Sequence, residues 1–207
     1  MARAFAEIAF TPLVRAAQEQ RGSAEKYAEW LAPEAARADR IGPDEKAFIE
    51  ARDGFHQATV SETGWPYVQF KGGPNGFLKG INEATIGYAD YRGSRQYVSL
   101  GNIHADDRVA LILTDYPNRG RLKIYGRASH IDIREDPAFV ARLHSGDGEG
   151  KPERATIIKV EALDWSCPRH IPQRLTAEEM APYLRGMQAK IAQLEAENAE
   201  LKSFLGR

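Results

Sequence analysis

Residues 54–91 read GFHQATVSETGWPYVQFKGGPNGFLKGINEATIGYADY, and this stretch decides the fold. From Gly54 onward, β-branched and aromatic residues recur in short runs separated by Gly, Pro, Asn and Asp. Such runs make strands, because branched and aromatic side chains pack well on a pleated, half-buried surface. Strands are expected near Phe55–Glu62, Pro66–Lys71, Gly76–Leu78 and Thr85–Ala89. Three more follow near Arg108–Thr114, Leu122–Asp132 and Ala155–Ala162. The intervals are too short for the helical crossovers of a doubly wound sheet, so the pattern implies an antiparallel barrel. Helices fit Ser94–Asp106 and Pro137–His144, and SGDGEGKPE (residues 145–153) reads as a surface loop.

The flanks differ from this middle. Residues 1–47 are rich in Ala and charge and are punctuated by Gly22, Pro33 and Gly42, with Val14, Ala17, Tyr27 and Leu31 placed to line short amphipathic faces. They form an N-terminal helical extension that packs rather than reacts. The barrel is expected over 48–174 and a separate C-terminal segment over 175–207. In that segment Met180, Leu184, Met187, Ile191, Leu194, Asn198, Leu201 and Leu205 alternate gaps of four and three residues, which is a heptad seam. Lys190 and Glu195, like Glu197 and Lys202, flank the seam with opposite charges. Pro182 and Gly186 weaken its first turns, so continuous helix is expected from about Pro182. Two uses of the stripe stay open: pairing across a dimer, or packing on the body of its own chain.

Composition excludes several functions. With 28 Lys+Arg against 29 Asp+Glu in 207 residues, a generally basic nucleic-acid binder is ruled out, although a local positive pocket is not. A lone Cys167 forms no intrachain disulfide or Cys-cluster zinc site and fits a reducing, cytoplasmic setting. No apolar run of membrane-spanning length occurs. His56, His104, His130, His144 and His170 are scattered without ligand spacing, so no metal is expected. Trp65, Tyr67, Phe70, Tyr88, Tyr91 and Tyr97, interleaved with Arg92 and Arg95, fit a strand core or small-molecule contacts better than a nucleic-acid platform.

Chemistry concentrates between Trp65 and Ala128, where nine Lys and Arg face five Asp and Glu. Lys71 closes a strand before a double Gly, and Gly93 leads from another strand into the expected helix. Ser94 is placed to cap that helix, which frees the Arg95 and Gln96 N–H groups for an anion. Arg95 adds a bidentate donor and Lys71 a point charge, which together make a phosphate cradle without a P-loop.

WPYVQFKGGPNGFLKGI (65–81), TIGYADYRGSRQYVSLGNI (85–103), DDRVALILTDYP (106–117) and GRLKIYGRAS (120–129) follow in this order. Together they resemble the pyridoxamine 5′-phosphate oxidase-like FMN-binding split-barrel superfamily, above all its bacterial branch of related flavin-nucleotide-binding proteins. The likeness runs over about residues 48–174, and FTPLVRAAQEQRGSAEKYA (10–28) is similar to that branch's N-terminal extension. The resemblance implies a mainly β (α+β) fold, a six-stranded antiparallel split β-barrel, carrying N-terminal helices and the C-terminal helix. It implies FMN, with the phosphate on Lys71, Ser94, Arg95 and Gln96, where Gln96 replaces a basic residue of the true oxidases. The isoalloxazine ring would lie along the backbone of Val68, Gln69 and Phe70 and meet the Gln69 side chain, with Tyr88 and Ala89 near the phosphate and ribityl chain.

Members of the superfamily are homodimers with flavin clefts shared between subunits. LDWSCPRHIPQR (163–174) resembles the branch's Trp-Asn-Cys-Pro-Gln signature, with Ser166 and Arg169 substituted, and so implicates Trp165 and Arg169 as cross-subunit cleft residues. His170 either lines the substrate cavity or makes a structural hydrogen bond, and Cys167 reads as a small packing side chain. The Arg- and His-containing C-terminal signature that grips the vitamer phosphate in true oxidases is replaced by the heptad tail. The implied function is therefore an FMN-dependent oxidoreductase with a small-molecule donor or acceptor, not a true pyridoxamine 5′-phosphate oxidase. The alternatives are a non-catalytic FMN-binding or storage protein and an interaction protein with a vestigial barrel.

Overall fold

A computed structural model describes residues 3–33, 35–37, 39–145, 150–165 and 167–206. Ser166 of the signature and residues 146–149 of the expected loop lie outside the described residues. Two compact units result: Met1–Asp115 with Gly120–Pro168, and Tyr116–Arg119 with Arg169–Arg207.

The first unit runs α1 (Ala4–Ala9), α2 (Pro12–Gln20), α3 (Ala24–Leu31), α4 (Pro43–Glu50), β1 (Gly54–Val60), β2 (Pro66–Gly72), β3 (Lys79–Asn82) and β4 (Thr85–Tyr91). It continues through α5 (Val98–Ala105), β5 (Arg108–Asp115), β6 (Gly120–Asp132), α6 (Pro137–Leu143) and β7 (Pro152–Trp165). The strands form one sheet in the order β2-β1-β5-β6-β7-β4-β3, every pair antiparallel. β2 and β4 stand far apart in that order, yet Lys71 of β2 reaches Asp90 of β4 at 2.9 Å, and Tyr88 of β4 donates to Gln57 of β1 at 3.0 Å. The sheet therefore curls until its ends meet through side chains instead of a backbone ladder, which makes it a split barrel. It has seven strands, as many as the residue pattern implied and one more than the six of the family resemblance.

The interior is filled by Phe55, Leu78, Tyr88, Leu111, Leu113, Leu122, Ile124 and Ile158, all fully buried. Each such side chain contributes roughly 1.5–3 kcal/mol through removal from water. A second cluster, Ala89, Ala155, Val140 and Leu143, seats α6 on the sheet. Phe5 of α1 stacks on Tyr125 of β6 and meets Trp30 of α3 edge-on, so the N-terminal helices are part of this unit's packing. Gly126 sits at the β6–β7 register shift, where a Cβ would lie 2.5 Å from the Lys159 carbonyl oxygen.

Two expected elements move. Gly76–Leu78 is not a strand: Phe77 N–H bonds the Pro74 carbonyl, Gly76 takes φ +82, and Phe77 and Leu78 drop into the core, so β3 begins at Lys79. The helix expected from Ser94 starts at Val98, because Arg95 (φ 64) and Tyr97 (φ 53) are left-handed and cannot lie inside a right-handed helix. Ser94 consequently caps nothing.

The second unit is dominated by α7 (Ala177–Leu205), which starts five residues before the expected Pro182. Thr176 Oγ1 accepts from the Glu179 N–H while the Glu179 carboxylate accepts from the Thr176 N–H. This capping box satisfies first-turn donors, and Pro182 then forfeits one helical bond near the start instead of ending the helix. Among the described residues no helix is long and apolar enough to cross a membrane.

Candidate anion-binding site

β2 alternates faces. Tyr67, Gln69 and Lys71 turn inward and are partly covered, whereas Val68 and Phe70 point outward, 58% and 60% exposed. Lys71 Nζ bonds Asp90 Oδ1 at 2.9 Å, and Arg154 Nη1 reaches Asp90 Oδ2 at 3.2 Å while Nη2 meets Glu153 at 2.9 Å. Lys71, Asp90 and Arg154 are each at most 16% exposed along their side chains, so one carboxylate clasps two cations across the split of the barrel. Removing one partner from so well covered a set costs about 3–5 kcal/mol, since the remaining charge loses its compensation.

Opposite β2, the segment 93–100 carries Ser94, Arg95 and Gln96 into the same pocket, together with the first turn of α5. Two long-range bonds fix α5 there: Ser99 Oγ donates to Gln69 Oε1 at 2.8 Å, and Asn102 Nδ2 donates to Thr59 Oγ1 at 2.9 Å. Among the described residues no group accepts from the Arg95, Gln96 or Tyr97 N–H. The pocket holds Lys71, Arg95 and Arg154 against Asp90 and Glu153, and Gln69, Ser94, Gln96 and Ser99 supply neutral donors and acceptors. Such a set suits an anion with several oxygens. Because α5 begins at Val98, the Arg95 and Gln96 N–H groups line the pocket from a loop and not from a helix turn as the sequence suggested, and the helical residues beside them are Val98, Ser99 and Leu100.

A model of the pyridoxamine 5′-phosphate oxidase family matches residues 41–166, more than half of the chain. The chain belongs to that family. No curated protein matches it by sequence. HupZ of Group A Streptococcus, 17% identical, superposes with a TM-score of 0.50 over 65% of this chain and 99% of its own, which shows the shared fold. An FMN-binding protein of Syntrophomonas wolfei is 13% identical, with a TM-score of 0.48 over 59% of this chain and 83% of its own. General stress protein 26 of Bacillus anthracis is also 13% identical, at a TM-score of 0.44 over 57% and 88%.

Within this family member the residues expected at the site fall into three groups. Lys71, Gln69, Ser94, Arg95 and Gln96 converge on the pocket, and Val68 and Phe70 flank it on the same strand with their side chains turned away. Tyr88 and Ala89 do not reach it: Tyr88 is in the barrel core beneath Lys71, and Ala89 faces α6, because strand alternation brings the pocket lining two residues on, at Asp90 and Tyr91. Trp165 is tied to α4, donating to Glu45 at 2.8 Å and packing edge-on against Phe48. Arg169 and His170 belong to the second unit and are exposed, His170 with a left-handed backbone. Cys167 is exposed rather than packed, its carbonyl accepting from Arg121.

Sequence reading missed Asp90, Glu153 and Arg154. Asp90 stood inside the quoted TIGYADYRGSR segment, but its pairing with Lys71 and Arg154 is visible only once the sheet has curled. A buried polar chain also went unseen. Tyr88 donates to Gln57 at 3.0 Å, and Thr156, its cross-strand neighbour on β7, has its Oγ1 3.2 Å from His130 Nδ1. Burial pushes the His130 pKa down to about 4, and Arg154, His104 and Lys71 act in the same direction against the pull of Asp90. Burial likewise raises the Tyr88 pKa. Among the described residues no three His, Cys, Asp or Glu side chains converge as a metal site.

Proposed function

We propose that this family member binds FMN through the pocket between β2 and the 93–100 segment and acts as an FMN-dependent oxidoreductase on a small-molecule donor or acceptor. The observation that carries this reading is the convergence of Lys71 with Ser94, Arg95 and Gln96, from two separate segments, on one polar pocket. The donor set suits a phosphate dianion: Arg95 offers a guanidinium fork, Ser94 a hydroxyl, and the 95–97 backbone N–H groups that have no acceptor of their own. Lys71 and Arg154 stand behind them, already shared with Asp90, so a phosphate competes with that carboxylate for its cations. When bound, the flavin would supply hydride or electron transfer. The chain's own part is to hold the phosphate and to present Gln69 and the β2 backbone to the ring.

A homodimer completes this reading. Phe70, His56 and Ile112 share one cross-strand row on the outside of β2, β1 and β5, with Val68 and Trp65 exposed beside them. A second copy on this apolar face would stand next to the pocket, since both are faces of β2, and Trp165, Arg169 and His170 are the cross-subunit candidates. After β7 the chain runs on into the heptad helix α7 where the true oxidases carry their Arg/His signature, which favours a substrate other than a pyridoxamine phosphate, and an exposed lone thiol fits a cytoplasmic compartment.

Arg95→Ala is the test of the phosphate site. Losing one charge-assisted hydrogen bond costs about 1.5–3 kcal/mol, roughly tenfold to over a hundredfold in Kd. Titration should show that loss for FMN and little change for riboflavin, which lacks the phosphate. Equal weakening of both ligands, or no weakening of FMN, overturns the assignment. Anaerobic addition of NADH, NADPH and a donor panel then separates enzyme from carrier: bleaching of the bound flavin marks an oxidoreductase, and no bleaching by any donor marks a flavin-binding or storage protein.

A further inference from the structure

The seam of α7 is laid bare from Leu184 onward. Leu184, Met187, Ile191, Leu194, Leu201 and Leu205 are 45–82% exposed, far more apolar surface than a solvated helix gains from keeping in water. Among the described residues the side-chain bonds of the helix are local: its capping box, and a surface chain in which Lys190 donates to Gln193 and Gln193 to Glu197. With 29 residues it is roughly 43 Å long, enough for three heptads of contact.

We infer that α7 pairs with α7 of a second copy as a parallel, in-register, two-stranded coiled coil whose register is set by Asn198. Heptad geometry excludes the other arrangements. Leu184, Ile191, Asn198 and Leu205 occupy the a position, and Met180, Met187, Leu194 and Leu201 occupy d. An antiparallel pair always sets a against d, so in every antiparallel register the Asn198 amide is buried against Met or Leu with no partner. A parallel pair slipped by one heptad sets Asn198 against Ile191 or Leu205 with the same penalty. Only the parallel pair in register brings the two Asn198 amides together, where each can donate to the other.

Charge selects the same arrangement. In it Lys190 (g) meets Glu195 (e) of the second copy and Glu197 (g) meets Lys202 (e), giving four attractive pairs. The antiparallel register that sets Ile191 against Leu201 instead faces Glu195 with Glu195 and Glu197 with Glu197. The occupant is thus a second copy of this chain, and the inference stands whether or not the pocket binds FMN.

The test uses the full chain with Cys167→Ser, so that an introduced thiol is the only one. Leu201→Cys should oxidise to a disulfide-linked dimer almost completely, since only a parallel in-register pair sets residue 201 against itself. Ala199→Cys, on the outer b position, should stay largely unlinked. Absence of a link at residue 201, as for an antiparallel pair or a partner of different sequence, overturns the inference, and so does equal linking at 199 and 201. In a glutathione buffer, adding Glu195→Lys should lower the linked fraction at residue 201 by setting Lys against Lys190. Adding Lys190→Glu as well should restore it. A fraction that ignores both charge changes also overturns the register.

Discussion

Ser99 and Asn102 hold α5 over the pocket through bonds to residues 30 and 43 positions away, whereas every side-chain bond within α7 spans three or four residues. The first is buried and polar and the second bares an apolar stripe, and one is shaped by the whole curled sheet and the other by its own turns. A change near the pocket is transmitted across β1, β2, β4 and β7, since Lys71, Asp90, Arg154, Tyr88 and Gln57 are linked to one another. A change in α7 stays where it is made, apart from its effect on whatever covers the seam.

Glycine substitutions give the widest separation between the two regions. In Gly126→Val a Cβ is forced to 2.5 Å from a backbone oxygen that cannot swing aside, so the first unit should lose about 4 kcal/mol, read as a fall in the denaturant midpoint. A wild-type midpoint would mean that β6 and β7 adjust freely and that the barrel is less tightly coupled than its bonds imply.

A smaller effect, confined to the barrel side of the comparison, comes from His130. Its pKa is lowered to about 4 by burial, below the usual value of 6.5. As pH falls from about 6.5 the unfolded chain takes up a proton that the folded protein refuses until about 4. Stability is therefore complete above that window and declines as pH falls through it, by about 3 kcal/mol at most. His130→Gln keeps a partner for Thr156 without titrating. Chemical denaturation of both proteins from pH 7 to pH 4 should show the wild type losing more, and parallel pH profiles would remove His130 from this role.

The smallest effect is in α7 and has the opposite sign. Nothing lies within 4 Å of a Cβ built on Gly186, so Gly186→Ala should raise helix stability by about 0.5–1 kcal/mol, seen as later melting of far-UV helical signal. A loss instead would mean that something packs closely on the outer face of α7 at that residue.

The same contrast explains what could be read in the sequence. Alternation along β1, β2 and β5 and the heptad of α7 are local periodicities, so both elements were legible, and TAEE at 176–179 carried the start of α7 even though Pro182 drew the boundary later. The start of α5 was not legible. Arg95 and Tyr97 take left-handed backbone in a loop whose flanks are held by distant partners, Ser99 by Gln69, Asn102 by Thr59 and the Tyr97 hydroxyl by Glu153, and no neighbour in sequence announces it. Phe77 and Leu78 read as strand because they are apolar, and apolarity marks burial without saying whether a strand or a turn delivers it. Lys71 was found as a cation at a strand end, but its carboxylate lies nineteen residues on and meets it only through curvature.

Phe70 has one more consequence. Its ring projects from β2 yet rests over Gly54 and Gly72, where a Cβ would approach ring carbons to 2.2 and 2.8 Å, and His56 meets it edge-on at 5.3 Å. Two absent methyl groups thus seat an aromatic side chain in a single rotamer while it is still in water. Covering a long, freely rotating side chain costs about 0.5–1.5 kcal/mol of lost motion, and here that ordering has already taken place during folding. Whatever lands on this face meets a surface whose entropy is already spent, so its hold should show in a slow departure more than in a fast arrival.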